Sequence, residues 1–204
     1  MLEARSLSCV RGTRLLFENI NLRVAPGKVF QVCGANGAGK TSLLRLLCGL
    51  TLPERGEILW GGLPISADLA RYHGQLAYVG HTPGLKFDLT ARENLEVTLA
   101  MQPARDQADL DQVLERVGLS SSAHIICRHL SAGQRRRVAI ARLHLTSASL
   151  WILDEPLSAI DAEGVSDIES ILIAHLEAGG MVIFTSHQAI ELARYSIDTV
   201  NLAG

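Results

Sequence analysis

Apolar residues fall in short runs broken by glycine and by polar clusters, and the spacing inside each run decides what it predicts. "KVFQVC" (residues 28–33) has strand length and leads directly into "GANGAGKTSLLRLLCGL". There Leu43, Leu44, Leu46, Leu47 and Leu50 form one broad stripe at helical spacing, so the pattern predicts a strand, a glycine-rich turn and a helix. "GEILWGGLPIS" predicts a hairpin turning on Gly61-Gly62, since a two-residue hairpin turn needs residues that accept positive φ. "LAYVGH" predicts another short strand. "LTARENLEVTLAM" opens with a Thr-x-x-Glu capping box, Thr90 to Glu93, which marks a helix start. "QADLDQVLERVGL" repeats apolar residues at Leu110, Val113, Leu114 and Val117 and closes on Gly118, a second helix with a glycine stop. "LSAGQ" opens a basic helix, and "SLWILDEP" and "GGMVIFTSH" are apolar strands that end in polar residues.

Strands alternating with helices predict a parallel α/β core, interrupted by a helical stretch at roughly residues 85–146. In such sheets ligands collect at the carboxyl ends of the strands. The residues from Gly34 onward, the pair Asp154-Glu155 and His187 each follow an apolar run, so three candidate groups share one edge.

Composition narrows the partners. The 204 residues carry a formal net charge of −2, which argues against a nucleic-acid-binding surface. No apolar run approaches the roughly 18 residues of a membrane-spanning helix, and the opening "MLEARSLSCVRG" holds no apolar signal segment, so a cytosolic setting is expected. The four cysteines, Cys9, Cys33, Cys48 and Cys127, form no CxxC pair. Cys33 and Cys48 sit in apolar runs and are expected to act as small core residues. Arg135, Arg136 and Arg137 are expected on a solvated or salt-bridged helix face.

"GANGAGKT" fits G-x-x-x-x-G-K-[ST] between a strand and a helix, the context a phosphate loop requires. Its glycines let backbone N–H groups approach phosphate oxygens, and the helix N-terminus adds positive potential. Gly34, Ala35, Asn36, Gly37, Ala38, Gly39, Lys40, Thr41 and Ser42 are therefore candidate nucleotide contacts. Lys40 is expected at the β- and γ-phosphates and Thr41 at Mg²⁺. Asp154 is the second candidate for the Mg²⁺ shell, and Glu155 can orient or deprotonate the attacking water. His187, at the end of "VIFTSH", is a candidate γ-phosphate contact from the same edge.

"GANGAGKTS", "LSAGQ", "LWILDEP", "SAID" and "TSH", in that order, make the chain resemble the ATP-binding subunit of ABC transporters over nearly its full length. The resemblance implies one P-loop NTPase domain over residues 1–204, with a parallel-sheet core, an antiparallel β subdomain and the helical insertion. It also implies ATP and Mg²⁺ as ligands and a head-to-tail homodimer. In that dimer Ser131, Gly133 and Gln134 of the signature loop of one copy cap the ATP lying on the phosphate loop of the other. Physically, a serine and a glycine backbone at a helix N-terminus are a second set of anion donors.

Two positions depart from the family pattern. His81, in "YVGHTPGL", stands where the family usually has a glutamine that serves Mg²⁺ and the water; an imidazole nitrogen can accept in its place. Arg11 stands where an aromatic usually stacks on adenine, and a guanidinium plane can also stack on a base. Within the family, "YVGH…PGLK" and "LSAGQRRRVAIARL" are similar to the ATPases of bacterial cytochrome c biogenesis. That likeness implies haem export, or release of haem from a carrier, as the output. It implies integral membrane subunits of the cytochrome c maturation system as partners, a peripheral location at the cytoplasmic face of the inner membrane, and no haem or nucleic acid bound by this subunit. An exporter ATPase for another cargo and a soluble non-transport ABC ATPase remain the alternatives. A small nucleotide kinase would share the phosphate loop but has no use for "LSAGQ".

Overall fold

The computed structural model describes residues 1–101, 108–192 and 194–202. β1 (Leu2–Arg11) and β2 (Arg14–Val24) form an antiparallel ribbon, and β3 (Val29–Gly34) runs into α1 (Lys40–Leu47). β4 (Arg55–Trp60) and β5 (Leu63–Pro64) follow, then α2 (Leu69–His73) and β6 (Leu76–Val79). α3 (Ala91–Ala100), α4 (Leu110–Arg116) and α5 (Ala132–Ala141) occupy the predicted helical stretch. β7 (Leu150–Asp154), α6 (Ala162–Glu177), β8 (Met181–Thr185) and β9 (Ile197–Leu202) complete the order. Residues 102–107, inside the predicted helical stretch, lie outside the described residues.

The predicted parallel core is present, with strand order β6-β7-β8-β3-β9 and every pair parallel. A second, antiparallel sheet has the order β2-β1-β4-β5, in line with the β subdomain that the family resemblance implies. Every residue of β7 and β8 is buried, as a sheet covered on both faces demands. Successive side chains divide between the faces. Trp151, Leu153, Val182 and Phe184 join the apolar cluster under α3, α4, α5 and α6, whereas Leu150, Ile152, Met181 and Ile183 join the one under α1 and the antiparallel sheet.

The local signals hold with two exceptions. Gly61 and Gly62 sit at φ 59° and 85°, the left-handed geometry of the predicted two-residue turn, and Trp60 pairs with Leu63 across it. The Thr90–Glu93 capping box forms in full. Leu50, however, does not belong to the α1 stripe: the helix ends at Leu47, Gly49 turns the chain at φ 68°, and Leu50 is 49% exposed. Cys48 is buried as expected, but Cys33 is only half-buried, because it lies where β3 opens into the phosphate loop.

At the amino end of β7, His175 of α6 stacks on Trp151 with ring centroids 3.7 Å apart. Burial pushes the His175 pKa down to about 4, against weaker opposing contacts with the Met181 and Ser149 backbone. The folded protein therefore holds this imidazole neutral where the unfolded chain would protonate it. Its contribution is complete above about pH 6.5 and is lost as pH falls toward 4. Urea midpoints should fall between pH 7 and pH 4.5 by an amount equivalent to about 2–3 kcal/mol. His175→Phe, which keeps a stacked ring, should flatten that slope; an unchanged slope would show that other groups carry the acid sensitivity.

Candidate nucleotide site

β3 delivers the chain to the phosphate loop at the carboxyl edge of the sheet. α1 begins after Gly39, at φ 101°, with no side-chain cap and no acidic residue in its first turn. Its first N–H groups are thus left for an anion rather than for a carboxylate of the chain itself. Lys40 Nζ donates back to the carbonyl oxygens of Gly34 and Ala35, at 2.7 and 3.4 Å, so the ammonium is suspended over the loop.

The register of neighbouring strands assembles the rest. Asp154 and Thr185, the last residues of β7 and β8, lie side by side, and Thr185 also pairs with Val32 of β3. Thr41 Oγ1 donates to Asp154 Oδ2 and Thr185 Oγ1 to Asp154 Oδ1, both at 2.7 Å. The Glu155 N–H in turn donates to Thr185 Oγ1 at 2.9 Å. Asp154 is 2% exposed, a buried carboxylate aligned by two hydroxyls. An oxygen-rich pair such as Thr41 and Asp154 suits a hard cation like Mg²⁺.

Glu155 adopts φ 53°, which turns its side chain out of the sheet. Glu155 Oε2 accepts the His187 backbone N–H at 3.2 Å, and Oε1 lies 3.5 Å from His187 Nε2. Oε1 accepts no hydrogen bond among the described residues. A cavity of about 390 Å³ brings together Ala35, Asn36, Gly37, Gly39, Lys40, Thr41, His81, Glu155 and His187. Ser158, from the loop after the acidic strand, joins them.

The other expected contacts fall elsewhere. Gly34 takes part through its carbonyl, and Ala38 is buried beneath the loop. Arg11 and Ser42 line an adjoining hollow of about 470 Å³ that shares Thr41 with the phosphate cavity and has no aromatic side chain in its wall. Ser131, Gly133 and Gln134 line a third cavity, with Ala159 to Asp161. The Gln134 carboxamide is engaged within its own chain: Oε1 accepts the Ser131 N–H at 2.9 Å and Nε2 donates to Ser122 Oγ at 3.1 Å. Ser131 Oγ accepts the Gln134 N–H at 3.1 Å, closing a second capping box. At Gly133 a Cβ would stand 2.4 Å from the Ala159 carbonyl; the signature loop abuts the loop that follows Glu155 so closely that a side chain cannot fit.

One expectation is overturned. Arg136 is not on a solvated face: it is 3% exposed, and only Arg137, paired with Asp161 and 3.9 Å from Asp167, behaves as a salt-bridged residue. The helical phase carried the signal, because Arg136 shares its face with the buried Ala139, Ile140 and Leu143. Thr185 and Ser158 fall in the quoted runs "TSH" and "SAID" without a role of their own being expected; their roles arise from strand register and loop packing.

The sequence profile described as ABC transporter matches residues 17–158. The chain belongs to the ABC transporter family. As an ABC ATPase it is an ATP-hydrolysing transporter subunit, and its relatives cover nearly all of it. The cytochrome c biogenesis ATP-binding export protein CcmA of Methylococcus capsulatus is 48% identical over 190 residues, 93% of this chain and 92% of its own length. That of Escherichia coli K12 is 46% identical over 202 residues, 99% and 96% of the two chains. A solved ATP-binding subunit of an ABC transporter superposes with a TM-score of 0.85 at 26% identity, over 99% of this chain and 85% of that one. A dimeric, post-hydrolysis ATP-binding cassette bound to ADP and Pi has the same fold, with a TM-score of 0.84 at 24% identity over 99% and 94% of the chains. Among the described residues of this ABC ATPase, no helix is long and apolar enough to cross a membrane.

Proposed function

We propose that this chain is the ATPase subunit of a bacterial export system for cytochrome c biogenesis. It works as a head-to-tail homodimer, held peripherally at the cytoplasmic face of the inner membrane by integral membrane subunits, with haem as the cargo those subunits handle. The cytochrome assignment is supported by near-full-length identity of 45–50% to the CcmA export proteins. The dimer is supported by one observation: in a single chain the signature loop and the phosphate loop line separate cavities. A second copy is needed to bring Ser131 and Gly133 to an ATP.

In this reading the loop amides and Lys40 bind the β- and γ-phosphates, and the base lies in the Arg11 hollow against a guanidinium. Thr41 and Asp154 hold Mg²⁺, which supplies charge neutralisation on the phosphates when bound. Glu155 Oε1 takes the proton of the attacking water while Oε2 stays tied to the His187 backbone. His187 and His81 face the same cavity and orient the γ-phosphate and the water. The partner's signature helix closes over the nucleotide with its own N-terminal donors.

Lys40→Ala is the clean test, because among the described residues the Lys40 ammonium hydrogen-bonds only to loop carbonyls, and its loss leaves the Asp154 hydrogen bonds in place. Cells carrying it should lose covalent c-type cytochromes, read by haem-stained gels, and keep b-type cytochromes, read by difference spectra. Normal c-type cytochromes in that strain would reassign the ATPase to another cargo.

A further inference from the structure

Of the three consecutive arginines that follow the signature loop, the middle one turns inward. Arg136, on α5, reaches backbone rather than a carboxylate. Its Nη1 donates to the Gly80 carbonyl at 2.7 Å, its Nε to the Glu155 carbonyl at 3.2 Å, and its Nη2 to the carbonyls of Asp154 and Glu155. Gly80 directly follows β6 and precedes His81, while Asp154 ends β7. One planar cation therefore ties α5 to the carboxyl ends of two neighbouring strands. Burial lowers its pKa, and the charges of Asp154 and Glu155 oppose that shift.

Glu155 needs such holding. Its φ of 53° lies in the left-handed region, which a residue with a Cβ occupies only when its surroundings impose it. Three sets of contacts hold its peptide groups here: the N–H bond to Thr185 Oγ1, the turn bond from the Ser158 N–H to the Glu155 carbonyl at 3.1 Å, and the bonds from Arg136 to that same carbonyl. A rigid fork of five N–H donors spread over three nitrogens spans these three carbonyls from one plane, whereas the three donors of a lysine radiate from a single nitrogen and a glutamine amide offers only two.

We propose that Arg136 is a positioning residue that makes hydrolysis at one ATP depend on engagement of the other. The inference rests on the head-to-tail reading. The N-terminus of α5 presents Ser131 and Gly133 to the partner's nucleotide, and the same helix carries Arg136 to its own Glu155 and to the peptide before its own His81. A shift of α5 on gripping the partner's γ-phosphate is delivered through the guanidinium to both. Each acid is thereby set by the nucleotide its own signature loop holds.

The test uses Arg136→Gln and Arg136→Lys in the full chain, alone and in the membrane complex that co-purifies with it. Read out are the Hill coefficient for ATP hydrolysis, kcat, and equilibrium binding of a fluorescent ATP analogue. Both variants should lower kcat about 10- to 100-fold. Both should reduce the Hill coefficient from about 2 toward about 1, with nucleotide binding changed by no more than about threefold. Variants that lose kcat but keep the parent Hill coefficient, or that keep both, overturn the inference. So does failure of both variants to fold, since the residue would then be structural. A wild-type Hill coefficient of about 1 alongside Glu155→Gln chains that dimerise on ATP overturns this inference alone. Glu155→Gln chains that stay monomeric overturn the head-to-tail reading and this inference with it.

Discussion

Glu155→Gln should slow ATP hydrolysis by about 10²-fold or more, the scale on which a positioned general base contributes, equivalent to at least about 2.7 kcal/mol of barrier. The geometry isolates that effect. Among the described residues the carboxylate accepts one hydrogen bond, at Oε2 from the His187 N–H, and a glutamine carbonyl can accept it equally well. The backbone clamps, Thr185 Oγ1 on the N–H and both Arg136 and the Ser158 N–H on the carbonyl, do not depend on the side chain. ATP should therefore bind as before and persist between two closed protomers, so that gel filtration with Mg-ATP shows a stable dimer absent from the wild type at steady state. A variant that turns over at the parental rate would remove Glu155 from the reaction.

Ser131→Arg should bring turnover to background while a single chain still binds ATP. Ser131 is exposed and lines a different cavity from the phosphate loop, so its replacement leaves the chain's own nucleotide contacts untouched. Locally it removes the Oγ cap on the Gln134 N–H, a loss of about 1 kcal/mol, which a chain with this extent of core tolerates. In the proposed head-to-tail dimer it would replace an anion donor with a bulky side chain at the closing surface. The double variant with Glu155→Gln should accordingly remain monomeric with Mg-ATP. Equal losses of monomer binding and of turnover would place Ser131 in its own chain's pocket instead.

The readable parts of the site are those written within a single run of residues. The phosphate loop needs only a strand, "GANGAGKT" and a helix, all adjacent in the chain, and backbone geometry does the rest. The capping box at Thr90 closes within four residues and is equally legible; the one at Ser131 is just as local, but of it only the helix start at "LSAGQ" was expected. The N-terminal ribbon was not read from its residues: β1 carries register shifts between Ala4 and Leu7 and again near Cys9, with Ser6 at φ 49°. Each bulge flips the inward face and erases the alternation a strand is recognised by. α6, absent from the pattern-based expectations, does carry a sequence signal: Ile168, Ile171, Leu172 and Leu176 mark its buried stripe and Asp161 caps it.

The sequence by itself determined the chemistry of this protein: a phosphate loop, a strand ending in two acids, a helix-capping signature, and membership of an ATPase family that such runs identify. Those are local properties, and local propensity with short-range hydrogen bonds suffices to specify them. Only the tertiary structure decided who aligns them. Thr185 reaches Asp154 through parallel register across 31 residues of chain, and Arg136 leaves its basic run to bind three strand-end carbonyls. The same packing left the signature and phosphate loops of one chain in separate cavities. Each outcome turns on which distant polar groups become buried together and must satisfy one another, a condition that arises only once the sheet and helices have been assembled.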